Sequence, residues 1–96
     1  MSLQETGTFQ TPNASKYLQQ LCKHFAHKIE VEYDATSARM ALPTGPATLN
    51  ASDETLHAEI SAEDNEGLLR ARGIIDKHLE RFAFREEFSG MTWTAA

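Results

Sequence analysis

A two-layer α+β domain, an antiparallel sheet of four to five strands with two helices on one face, is the fold that this sequence predicts. Three observations predict it. Two stretches carry apolar residues at the 3.6-residue spacing of amphipathic helices, and between them the period changes to two over four short segments closed by turn signals. The outward positions of those segments are polar, so that side of the sheet needs no second layer and both helices are free to cover the other.

The first segment, residues 6–11 (TGTFQT), is β-branched around Phe9 and reads as a short strand that Pro12 stops. Asn13 is the expected N-cap of a helix over 14–28. Within it Leu18, Leu21, Cys22, Phe25 and Ile29 fall on one stripe, with Lys16, Gln20, Lys23 and His27 facing away and His24 on the flank near Tyr17 and Lys28. Ile29, Val31 and Tyr33 then alternate with Glu30, Glu32 and Asp34. Ala38, Met40 and Leu42 alternate about Arg39, and the Pro43-Thr44-Gly45-Pro46 run breaks the chain. Ala47, Leu49 and Ala51 point inward on a third strand of this series; Leu56, Ala58 and Ile60 do so on a fourth over 55–61, with His57 and Glu59 outward. Three tight connections between neighbouring strands describe an antiparallel meander.

Ser61 or Asp64 is placed to cap the second helix, whose buried stripe is Leu68, Ala71, Ile75, Leu79 and Phe82 with Arg72 at its edge. Gly73 in its interior points to a close crossing or to simple tolerance. His78 and Arg81 flank the stripe. In the tail, Trp93 is too large an apolar group to stand idle, and residues 88–96 are expected to add an edge strand or seal a helix end. The order β-α-β-β-β-β-α is similar to one repeat of the TATA-box-binding protein, a likeness of topology that carries no function.

Ninety-six residues make one domain, 1–96, with flexible ends expected at 1–5 and 94–96. The formal charge of −5 argues against nucleic acid as a partner, which demands a cationic excess. No apolar run approaches the roughly 20 residues that span a bilayer, so no membrane partner is expected. The first ten residues lack the pattern of a secretory signal, and the single cysteine cannot form an internal disulfide; both fit a cytoplasmic protein.

Candidate chemistry gathers on the helices. His24, His27 and His78 are metal-ligand types, and His24 and His27, about 60° apart on a helical wheel, can share an ion. Cys22, roughly 160° from His24 on the same wheel, cannot easily join them and reads as a small core residue. A third ligand must come from His78 or a glutamate of the second helix. The segment HLERFAFREE reads as an anionic-ligand pocket in which Arg81 and Arg85 bind a carboxylate and His78 adds a donor. Its structural alternative is a helix end whose arginines offset the dipole and pair with Glu80, Glu86 or Glu87. No phosphate loop, nucleophile elbow or HExxH is present, so an enzymatic role has no motif behind it and no cofactor is required.

The stretches SKYLQQLCKHFAHKIEVEYD and HLERFAFREE resemble the bacterial family called domain of unknown function 2218, over nearly the whole chain. That resemblance implies a small uncharacterised module, in some bacteria found beside or fused to siderophore-interacting, flavin-dependent ferric reductase domains. It carries no catalytic residues, and it directs attention to Tyr17, Cys22, His24, His27, His78, Arg81, Phe82 and Arg85. The leading expectation is a binding or accessory module, a candidate homodimer, with its site at the edges of the two helices: Tyr17, His24, His78, Arg81 and Arg85. The alternative is a metal- or haem-linked protein of iron or siderophore metabolism using His24, His27 and His78, with a ferric-siderophore reductase as partner.

Overall fold

The structure is a computed structural model that describes residues 3–83, 86 and 90–95. Its elements are β1 (Leu3–Gln10), α1 (Ala14–Phe25), β2 (Val31–Tyr33), β3 (Ser37–Leu42), β4 (Gly45–Ala51), β5 (Thr55–Ala62), α2 (Asn65–Phe82) and β6 (Thr92–Ala95). The strands form one antiparallel sheet in the order β2-β3-β4-β5-β1-β6. The expected meander is its β2-β3-β4-β5 run. The sheet has six strands, not four to five, because the tail adds β6 to the free side of β1, with Gly7 opposite Trp93. Residues 3–5 and 94–95, read from the sequence as loose ends, lie within these two strands, where Glu5 faces Ala95.

The period-two alternation survives in the structure. Ala38, Met40 and Leu42 on β3, Ala47 and Leu49 on β4, and Leu56, Ala58, Ile60 and Ala62 on β5 are buried, while the residues between them face outward. Leu18, Leu21, Cys22 and Phe25 of α1 and Leu68, Ala71, Ile75 and Leu79 of α2 are buried in the same core. Phe82, Ile29 and Trp93 pack on its margin. Both helices therefore cover one face, as a polar outer face requires.

Several local readings need correction. Helix α1 ends at Phe25, with Lys28 and Ile29 continuing as a turn whose amides reach the Phe25 carbonyl. Asn13 does not cap it through its side chain. Its own amide donates to Thr11 Oγ1, and its Nδ2 donates to Glu86, so the chain entering α1 is tied to the far end of the fold. Asp64 is the cap of α2, accepting from the Gly67 amide at 2.8 Å, whereas Ser61 stays in β5 and donates to the Pro46 carbonyl. Gly73 marks no crossing: a Cβ there meets nothing within 4 Å. The close approach is at Gly7, where a Cβ would lie 2.7 Å from the indole of Trp93.

Trp93 is held in that position. Its Nε1–H donates to Asp76 Oδ2 at 2.9 Å, and Asp76 Oδ1 accepts the Met91 amide at 2.9 Å. One turn earlier, Arg72 grips Glu5 through two guanidinium nitrogens, and Glu5 is only 8% exposed. Residues 72 and 76 thus form one polar line on α2 that fastens β1 and β6, a matched use of the i, i+4 spacing.

Candidate functional site

The flank of α1 that faces α2 is Tyr17, Gln20 and His24, spaced i, i+3 and i+7 and so stacked along one line of the helix. At its far end the His24 imidazole lies 4.7 Å from that of His78, centroid to centroid, with the planes at 49°. Phe25 meets His78 at 4.7 Å, and His24 meets Phe25 edge-on at 5.3 Å and Phe82 at 6.3 Å. Two of the four histidines, one from each helix, therefore share an aromatic nest at the margin of the core.

Their protonation is constrained. His78 Nδ1 lies 2.6 Å from the Ile74 carbonyl oxygen, which only accepts, so Nδ1 carries a proton and donates it there. Among the described residues His24 Nε2 has no hydrogen-bond partner although it is buried, and the same holds for Gln20 Oε1, one turn away. Burial, then the charges of His78, Lys28, Arg81 and His27, hold the His24 imidazole below its ordinary value. All those neighbours are cationic or become so. Gln20, assigned by the wheel to the solvent face, is half-buried; its three-residue spacing from Tyr17 and four-residue spacing to His24 was the signal.

At the other end of the seam stands Glu86. Its carboxylate accepts from Tyr17 OH, from Thr11 Oγ1 at 2.7 Å and from Asn13 Nδ2 at 3.3 Å. Burial alone would raise the Glu86 carboxyl, but these donors and the charge of Lys16 outweigh it, and the group is held below the usual carboxylate range. Burial and the Glu86 carboxylate push the Tyr17 phenol up, so the proton stays on the tyrosine. Glu86, one of the acids offered by the sequence as a partner for the arginines of its own segment, is the acceptor for three side chains around the start of α1. Tyr17 is thereby committed to it and stacks on Phe9 at 6.0 Å. Of the predicted ligand-binding set, Tyr17 is engaged, His24 and His78 meet, Arg81 is exposed near them, and Arg85 lies outside the described residues.

The predicted metal trio is not assembled as three. His27 is exposed, and among the described residues no group of three histidine, cysteine, aspartate or glutamate side chains is placed to hold an ion. Cys22 is fully buried, and burial pushes its thiol up to about 11, the opposite of what a nucleophile needs. Surface depressions lie elsewhere, around Glu30, Glu32 and Arg39 at the β2 edge and around Thr44, Ser61 and Asp64 beside the start of α2. Thr44 Oγ1 in the second is likewise buried without a partner among the described residues, but neither depression brings two imidazoles together. No helix of the described residues is long and apolar enough to cross a membrane.

Residues 6–94 match the model of a family described as an uncharacterized protein conserved in bacteria, domain of unknown function 2218. The chain belongs to this family. No curated protein matches it. Among solved structures it is similar to the NMR structure of PA4090 from Pseudomonas aeruginosa, with 25% identity and a TM-score of 0.79, over 96% of this chain and 95% of that one. Both likenesses run nearly end to end, so the whole two-layer fold, the inter-helix seam included, falls within the span that the family model and the similar structure share with this chain.

Proposed function

We propose that the chain is a small non-enzymatic binding or accessory module whose site is the α1–α2 seam at His24 and His78, and whose ligand presents a carboxylate or a similarly small anionic group. The observation that carries this reading is the buried Nε2 of His24, unpartnered among the described residues and set among groups of one sign, Lys28, Arg81, His27 and the second imidazole. A buried polar atom without a partner is rare in a native fold, and a ligand that supplies one recovers its desolvation penalty. An anion does more. It accepts the Nε2–H, offsets the neighbouring positive charges, and so raises the His24 value, which means that its affinity rises as the pH falls toward that value.

Titration calorimetry with acetate, succinate and citrate at pH 8 and pH 6 tests it. Binding that strengthens at the lower pH, and falls roughly tenfold or more in both His24→Ala and Arg81→Ala, as expected for loss of a charge-assisted contact, is the predicted result. Absence of heat with every carboxylate at both pH values rejects the reading.

One feature favours a second reading, a metal or haem contact in iron or siderophore metabolism with a flavin-dependent ferric-siderophore reductase as partner. The donation from His78 Nδ1 to the Ile74 carbonyl is the arrangement that orients a metal-binding imidazole and leaves Nε2 free. Elemental analysis and the absorption spectrum of purified protein separate the two. One metal or haem per chain, lost in His24→Ala and in His78→Ala, supports the second reading; metal-free protein that binds carboxylates supports the first.

A further inference from the structure

The two free edges of the sheet are built differently. The β2 edge is three residues long and is set among the exposed acids Glu30, Glu32 and Asp34, a charged edge of the kind that repels an added strand. The β6 edge, Thr92-Trp93-Thr94-Ala95, carries no charge and no proline, and no described element pairs with its outer side. Its backbone is nevertheless held in place from within, by the β1 ladder and by the Asp76 bonds to Trp93 and the Met91 amide. An uncharged, fixed strand edge is a template for another strand.

We infer that β6 pairs with β6 of a second copy, making a continuous antiparallel sheet across a two-fold axis. Face parity requires that the two-fold axis pass through a residue, and we place it at Trp93. Opposed residues of an antiparallel pair point to the same side, so in a symmetric pairing centred on Trp93 the two indoles are neighbours on the helix face, and Thr92 lies opposite Thr94 of the other copy on the outer face. The fit is self-complementary. Thr92 and Thr94 already stand beside Thr8 and Thr6 on that face, and the pairing extends this block with threonine opposite threonine, a favourable cross-strand match. Trp93 is only half-buried in one chain, and its twin covers what remains. Each copy carries a net charge of −5, with none of it on Thr92–Ala95, so the association strengthens as salt rises. This inference does not depend on the binding reading above.

Sedimentation velocity of the whole chain across a wide concentration range, with two double variants, tests both the pairing and its register. The wild type is expected to shift from one-chain toward two-chain mass as concentration rises. Thr92→Lys/Thr94→Lys, which sets lysine opposite lysine, is expected to stay at one-chain mass, and Thr92→Lys/Thr94→Glu, which sets lysine opposite glutamate, to regain two-chain mass. Far-UV circular dichroism and Trp93 emission establish that each variant is folded. As a measurement on the unaltered chain, the outward amides of β6 are expected to exchange more slowly at high protein concentration than at low. A wild type that keeps one-chain mass and unprotected β6 amides at every concentration overturns the inference, and so does a folded dilysine variant that pairs as well as the wild type.

Discussion

Glu86 and His24 give the fold two separate responses to acid. The Glu86 carboxyl is held down by Tyr17, Thr11 and Asn13, so its contribution is present above the ordinary carboxylate value and is lost as the pH falls through the folded one. His24 is also held down, which for a base means that the unfolded chain takes up the proton first. Its penalty begins as the pH falls below the ordinary imidazole value and is complete at the lower, folded one. Thermal unfolding followed from pH 8 to pH 4 is therefore expected to show a decline below about pH 6.5 that is absent in His24→Gln, and a steeper one further down that is absent in Glu86→Gln. At pH 7, Glu86→Gln should cost about 1–3 kcal/mol, since the bonds it loses are to a charged acceptor. Cys22 offers a complementary check. Fully buried and with its thiol pushed up to about 11, it should react with iodoacetamide only as fast as the chain opens, and rapid labelling of folded protein would contradict the packing of α1.

Among the elements, α2 carries the tertiary connections that hold β1 and β6. Glu5 is nearly buried on the inner face and depends on Arg72, so Arg72→Ala should lower stability by about 3 kcal/mol, more than the loss of an exposed pair such as Arg70–Glu66. The glycines divide in the same way. Gly7→Ala forces a methyl into the Trp93 ring and should cost about 1–3 kcal/mol, while Gly73→Ala enters open space on the helix and should gain about 0.5–1 kcal/mol; chemical denaturation measures both. The sequence made the second helix and the four meander strands legible because a period of apolar residues is a local signal. Glu5 on an inner face, Gly7 under an indole and Asp76 beneath a strand seventeen residues away are not local. Nothing in residues 3–10 announces that β1 will be covered by Arg72 and Trp93, and so the sequence offers an edge strand as one role for the tail without requiring a sixth strand.

For the molecule as a whole, the division of labour between its two faces governs what it can bind. The outer face is polar and open, and the helix layer hides the core but leaves a seam in which two imidazoles meet. The sequence placed His24 and His78 on facing flanks, because a helical wheel reports direction. It left Gln20 in solvent and Tyr17 free, because a wheel does not report the angle at which a second helix crosses or that a residue as distant as Glu86 returns to the start of α1. Everything proposed for binding depends on that seam, and long-range nitrogen–proton correlation spectra of the imidazoles in uniformly ¹⁵N-labelled protein, recorded with and without citrate at pH 6.5, probe it at the atoms concerned. Nδ1 of His78 is expected to carry a proton in the bond to Ile74, and citrate is expected to move the ring signals of His24 and His78 more than those of the exposed His27 and His57. Ring signals of His24 and His78 that do not respond to citrate, or four histidines that shift alike, would contradict it.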